Sequence, residues 1–322
     1  MNILVTQDKN IKFLFKIYYF ITLLIISSVL TSLIFNNNLY KKSTTLNNKI
    51  ITTSEQNQNG TNVGDLLTVK SLQENNFVYD FQIDDIRKTK TIPNIIVVKL
   101  PNDLRSIKTI KNRKEFFIRI TLPIIVQENE KLISLNNKIK SIKNNFGHIS
   151  RKDALWTRNL MVEYNADTLD ALLVKVDEIP ASLALAQAVI ESGWGTSRFA
   201  YEGNALFGQY IWGKSKNGII PKDRETDAKY KIKSFNSLSE SVASYMKNLN
   251  TNFHYQEFRI NRYVLRSNNI PLSGSHLANY LFNYSIENDY TDKIITIIEN
   301  NNFEDFDDLS IEPQTPLITE II

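Results

Sequence analysis

The segment IPASLALAQAVIESGWG, residues 179–195, constrains the fold of this chain more than any other. A helix starting at Ser182 spreads Leu183, Leu185, Ala186, Val189 and Ile190 around nearly its whole circumference, so it belongs at the centre of a core. Ser182 suits the N-cap position, and Ser192-Gly193-Trp194-Gly195 ends the helix in a tight turn. A helix buried on all sides needs other helices around it. Helical spacing runs through Asp153–Tyr164 and Thr168–Asp177, the latter opened by Asp167. It returns in Tyr255–Arg266, Ser275–Tyr284 and Tyr290–Asn300. Ser237-Leu238-Ser239-Glu240 forms a capping box, followed by Val242, Tyr245, Met246 and Leu249. Between these lie a strand-like stretch, Ala205–Trp212, an Asn217-Gly218 turn and an alternating run, Lys229–Phe235. The predicted fold class is mainly α, of the α+β kind: a helical domain with a small inserted β-hairpin lobe.

The last residue of the central helix before Ser192-Gly193 is Glu191. A carboxylate at a helix C-terminus opposes the macrodipole, and apolar surroundings penalise its charge again. Both effects raise its pKa, as a general acid working near neutral pH requires. A solvated Glu on a fraying helix end is the bland alternative. The aromatic turn that follows favours chemistry.

The N-terminus bears on location. Ile17–Phe35 is a run of 19 uncharged, mostly apolar residues, about 28 Å as a helix and enough for a bilayer core. Lys9, Lys12 and Lys16 precede it, and Lys41 and Lys42 follow, a bias that keeps the N-terminus in the cytoplasm. No small-residue cleavage site follows the run, so an uncleaved anchor is favoured over a cleaved signal peptide. The expected layout is a cytoplasmic N-terminus (1–12), a transmembrane anchor or uncleaved signal (13–35) and a flexible polar linker (36–76). After it come a basic helical region packing on the main domain (77–148), that domain (149–310) and a tail (311–322). Between Arg87 and Lys143, 14 Lys and Arg stand against four acids. IIVVKL (95–100) reads as a strand, and a helix from Asp103 should be kinked or split at Pro123. The acids after Phe303 read as a solvated terminus.

Several classes are excluded. The 322 residues contain no cysteine, which removes disulfides, thiolate catalysis and Cys-ligated metals. A net charge of +4 is too mild to argue for nucleic acid. His148, His254 and His276 are too scattered to suggest a metal site. Gly203–Gly208 has phosphate-loop spacing, but Gln209 stands where a Lys is required. No G-x-S-x-G element supports a serine hydrolase.

Mostly helices, one small β-lobe and a Glu ending a buried helix make a lysozyme-like layout. VDEIPASLALAQAVIESGWGTSRFAYEGNALFGQY strongly resembles the Bax group of bacterial peptidoglycan glucosaminidases, glycoside hydrolase family 73. The resemblance continues through GIIPKDR, FNSLSESVASYMKNLNTN, YQEFR and LANYLFNYS, and more weakly back to KLPNDL and KNRKEFFIRITLPII. It implies a lysozyme-like fold and hydrolysis of the β-1,4 bond after N-acetylglucosamine, without a cofactor. It places the catalytic Glu at Glu191 and a second catalytic residue, a Tyr, at Tyr290 of NDYTDKI. Glycosidases normally pair two carboxylates. Glu225, in DRETDAKY, is the first candidate for the partner, with Asp223 and Asp227 as rivals, unless the sugar's own acetamide assists. Asn204, Phe207, Gly208, Gln209 and Tyr210 are expected to line the sugar cleft, with a place in the core as an equal alternative for Phe207. Trp194, Tyr210 and Trp212 would stack on pyranose faces. Expected partners are peptidoglycan glycan strands and, through the N-terminal helix, a bacterial inner membrane with the catalytic domain outside it. A lytic transglycosylase and a catalytically silent wall-binding protein are the alternatives.

Overall fold

The computed structural model describes residues 68–69, 81–101, 103–212, 217–222, 229–285 and 287–312, together with the backbone of 318–321. The expected anchor lies outside them, and among the described residues no helix is long and apolar enough to cross a membrane. The described residues belong to one compact unit, Gly64–Ile322. Of the expected linker only Thr68 and Val69 are described. Val69 is buried, and its N–H donates to Asp103 Oδ1 at 2.6 Å.

Helices dominate. In chain order they are α1 (Ile83–Thr89), α2 (Ile110–Asn144), α3 (Arg151–Glu163), α4 (Leu169–Lys175) and α5 (Ala181–Ser192). After these come α6 (Arg198–Gly203), α7 (Leu238–Thr251), α8 (Gln256–Ser267), α9 (Gly274–Ala278) and α10 (Tyr290–Asn300). The all-apolar helix is α5, buried from Ala181 to Val189 and packed against α2, α9, α10 and the turn Phe303–Phe306.

Two expectations about α5's surroundings need correcting. Of the kink or split expected at Pro123, the split does not occur: α2 runs through Pro123 as one helix, buried without a break from Phe116 to Asn129. A proline there costs about 3 kcal/mol, and several buried side chains at about 1.5–3 kcal/mol each outweigh it. Residues before Ile110 form only a short 3-10 turn, Leu104–Ser106. The acidic stretch after Phe303 is likewise not a solvated end. Asp305 pairs with Arg87 and Asp308 with Lys90. Strand β1 (Thr91–Ile92) pairs in parallel with β6 (Ser310–Ile311), and β2 (Ile95–Val97) with β7 (Ile318–Ile321).

Ser182 is not the cap of α5. The cap position falls two residues earlier, on Pro180, and the helix begins at Ala181. The Ser182 N–H and hydroxyl both donate to Asp307, each at 2.7 Å, so a carboxylate from far along the chain supplies the missing cap. Helix α4 is capped by Thr168, not Asp167. The Ser237 cap on α7 is present, but Glu240 returns to the Asn236 N–H, one residue before the box position.

The inserted lobe has three strands, not two: β3 (Tyr210–Trp212), β4 (Gly218–Ile219) and β5 (Tyr230–Lys233), in the order β3-β5-β4. Gly218 pairs with Lys233 inside β4, so Asn217-Gly218 does not form the tip of a two-residue hairpin. Residues before Tyr210 leave the strand pattern because Asn204 and Gly208 both adopt positive φ.

Candidate active site

Glu191 sits one residue before the end of α5. Gly193, Trp194 and Gly195 follow it, all at positive φ. Gly195 is the tight point of this turn. A Cβ there would meet Leu100, Leu104 and Phe117 at 2.9–3.0 Å, so only glycine lets the backbone pass so close to α2. The turn stops α5 where Glu191 reaches the floor of an open cleft of about 640 Å³. Phe207, Gly208, Gln209, Tyr210, Ser244, Asn248 and Tyr255 are among the residues that line this cleft.

Behind Glu191 runs a directed chain of hydrogen bonds. Tyr245 donates to Gln187 Oε1 at 2.6 Å, Gln187 Nε2 donates to Tyr290 Oη at 3.1 Å, and Tyr290 donates to Glu191 Oε1 at 2.8 Å. Burial, reinforced by the Glu191 charge, pushes the Tyr290 phenol far up, so it stays a donor. Tyr284 stacks on Tyr290 (5.4 Å between centroids, 8° between planes), and Phe207 stacks on Tyr245 (3.9 Å, 7°). These stacks fix the two phenols as neighbours of the carboxyl.

Burial raises the Glu191 pKa. The Tyr290 hydrogen bond pulls the other way, and the Glu287 charge adds to the rise. With Oε1 occupied by Tyr290, Oε2 is the oxygen left for a transferable proton. Gly208, at φ +57°, clears the space for it, since a Cβ there would lie 3.0 Å from Oε2.

The other expected residues divide. Gln209 is pinned to α7, its Nε2 donating to the Ser244 carbonyl at 3.3 Å. Trp194 does not face the cleft. It packs edge-on to Phe117 (5.9 Å) and Phe303 (6.4 Å), beneath Lys114. The positive φ values of its turn aim the ring into the core. Asn204 is buried, and its Nδ2 donates to the Phe235 carbonyl at 3.0 Å, tying α6 to the lobe. Trp212 is 71% exposed on β3 beside Tyr230 and beyond the residues that line the cleft. Glu225, with Asp223 and Asp227, lies outside the described residues.

Sequence reasoning missed Gln187, Tyr245, Tyr284 and Ser244. For Gln187 a signal existed: it stands one helical turn before Glu191 in an otherwise apolar helix, hence on the same face. The partners from α7 and from the loop before α10 carry no local mark.

Residues 171–303 match the glucosaminidase family, described as mannosyl-glycoprotein endo-beta-N-acetylglucosaminidase. Over 211 residues the chain is 30% identical to Protein bax of Escherichia coli (strain K12), covering 62% of this chain and 73% of that protein. This chain belongs to the glucosaminidase family. Exo-glucosaminidase LytG of Bacillus subtilis (strain 168) is a more distant relative, 26% identical over 138 residues, which cover 40% of this chain and 46% of LytG. Among solved structures, the catalytic domain of the autolysin Auto from Listeria monocytogenes overlays at a TM-score of 0.30 with 16% identity, covering 52% of this chain and 96% of that one. As a glucosaminidase the chain is a glycoside hydrolase, and Glu191, Tyr290 and the cleft all fall within the matched residues.

Proposed function

We propose that this glucosaminidase hydrolyses the β-1,4 bond after N-acetylglucosamine in peptidoglycan, with Glu191 as general acid. The observation that carries the reading is the chain Tyr245–Gln187–Tyr290–Glu191, which occupies one carboxyl oxygen and leaves Oε2 at the cleft floor. A protonated Oε2 delivers its proton to the glycosidic oxygen as the bond breaks, and burial raises the carboxyl pKa in the direction a general acid needs. Tyr290 then donates to the carboxylate that results. Attack on the anomeric carbon falls to a water activated by a second carboxylate, for which Glu225 remains the first candidate, or to the substrate acetamide. We further read the fold as lysozyme-like and residues 13–35 as a membrane anchor that holds the catalytic unit outside the inner membrane.

Mass spectrometry of purified peptidoglycan digested with the protein tests this. Reducing-end N-acetylglucosamine is expected. Anhydro-muramic ends would make the enzyme a lytic transglycosylase, and reducing-end muramic acid a muramidase. Retention on the sacculus with nothing released would leave a wall-binding protein.

A further inference from the structure

The cleft contains two ammonium groups, and they are not equivalent. Lys247, on α7, is neutralised by Glu163 at 2.9 Å and lies against the Tyr164 ring. Lys233, at the end of β5, is half-buried and lines the same cleft. Its Nζ donates to Ser244 Oγ at 2.9 Å and sits 4.9 Å from the Phe235 ring centroid. No carboxylate among the described residues lies within 4.0 Å of it.

The network around Lys233 fixes where it points. The Ser244 hydroxyl spends its own proton on Gln209 Oε1, at 2.8 Å, so its lone pair is free to accept from Lys233. Gln209 in turn donates to the Ser244 carbonyl. An ammonium held by one neutral acceptor keeps two further N–H donors. The nearby aromatic face offers partial compensation. Partial burial of a cation without a counter-ion is unfavourable, so the arrangement gains most from a ligand that brings one. Glu191 does not serve: its Oε1 accepts from Tyr290, and neither of its oxygens pairs with Lys233.

This bears on the substrate and rests on the glycosidase reading above. A glycan of N-acetylglucosamine alone is neutral along its whole length. A glycan alternating with muramic acid carries a carboxylate on the lactyl ether or, where that is amidated, on the attached peptide. We propose that Lys233 is a specificity residue that selects glycans bearing a carboxylate next to the scissile bond.

The test compares the full chain with Lys233→Met, which keeps the length of the side chain and removes its charge. Three substrates are used: glycan strands with peptides, strands freed of peptide by an amidase, and neutral chito-oligosaccharides. The expected result is a fall of about tenfold in the ratio of kcat/KM for carboxylate-bearing strands over chito-oligosaccharides, carried mainly by KM and shrinking with added salt. Loss only on peptide-free strands places the carboxylate on the sugar's lactyl group. Loss only on peptide-bearing strands places it on the peptide, and loss on both kinds of strand means that Lys233 reads either carboxylate. An unchanged ratio, whether the variant slows on all three substrates alike or on none, overturns the proposal. A wild type inert on all three sinks the glycosidase reading instead, and binding titrations with the same ligands then decide Lys233 by the same ratio.

Discussion

Glu191 gives one oxygen to Tyr290 and keeps the other for the proton it transfers, and that division makes separable predictions. Glu191→Gln keeps the acceptor for Tyr290 and removes the proton, so hydrolysis should fall about 10²–10⁴-fold, the usual worth of a general acid, while circular dichroism stays unchanged. Burial raises the carboxyl pKa in the fold, so the charged form is the disfavoured one, and its cost grows as pH rises through the folded pKa. Glu191→Gln should therefore raise Tm at alkaline pH and leave it nearly unchanged in acid. An equal Tm change at both ends would argue against a buried, raised carboxyl. The pH–rate profile reads the neighbours with opposite signs. Tyr290→Phe removes the hydrogen bond that favours the carboxylate, so the basic limb should move to higher pH. Glu287→Gln removes a charge that disfavours it, so the limb should move to lower pH. Shifts in the same direction would break this account. Gly208→Ala brings a methyl to 3.0 Å from Oε2 at a backbone angle alanine resists. At least tenfold loss of kcat is expected, with KM less affected. Glu191 itself was legible in the sequence because its two penalties, the helix end and the apolar run, are local. Tyr290 came only through the family resemblance, since nothing in NDYTDKI marks a phenol that meets α5.

At the level of elements, the sequence reveals what periodicity encodes and hides what distant residues supply. Helix α10 runs from Tyr290 to Asn300, as its spacing predicts, and α7 starts at its Ser237 cap. The predicted Ser275–Tyr284 helix ends at Ala278, because apolar residues there contact the core without a continuous helix. The cap of α5 could not be read at all, since Asp307 lies 125 residues from Ser182. Asp307 also accepts from the Gly274 N–H at 3.2 Å, so it fastens α5 and α9 together. Asp307→Ala should cost roughly 1–2 kcal/mol, the upper range for a lost cap. Burial pushes the Asp307 carboxyl up to about 7 in spite of these donors. Between its ordinary pKa of 3.8 and about 7 the folded state holds a proton that the unfolded state has released, so the stability contributed by this group falls as pH rises through that window. Asp307→Asn should flatten the fall between about pH 4 and pH 7 in denaturant titrations. A slope equal to wild type would assign the pH dependence to other groups.

For the molecule as a whole, the question is where the catalytic unit begins. The strongest resemblance starts near residue 178, and the basic composition before it suggests solvated helices packed against a self-sufficient domain. The structure gives that region a different place. The charges of α2 lie mostly on its outward turns, while Phe116, Phe117, Ile120, Leu122, Ile124, Ile125 and Ile139 are almost wholly buried in the core that holds α5. Composition averaged over the region cannot show this, because a few buried turns decide it. At about 1.5–3 kcal/mol each, these side chains together exceed or match the ~5–15 kcal/mol net stability of an ordinary domain. The pairing of β1 with β6, and Arg87 with the Asn301 and Asn302 carbonyls, then close the two ends of the unit on each other. Residues 149–310 alone should therefore fail to fold, giving aggregated protein or a chain without a cooperative thermal transition. Residues 64–322 should melt cooperatively and retain activity. A soluble, active 149–310 would mean that α2 covers a core able to close without it, and would move the boundary of the catalytic unit back to where the sequence alone suggests.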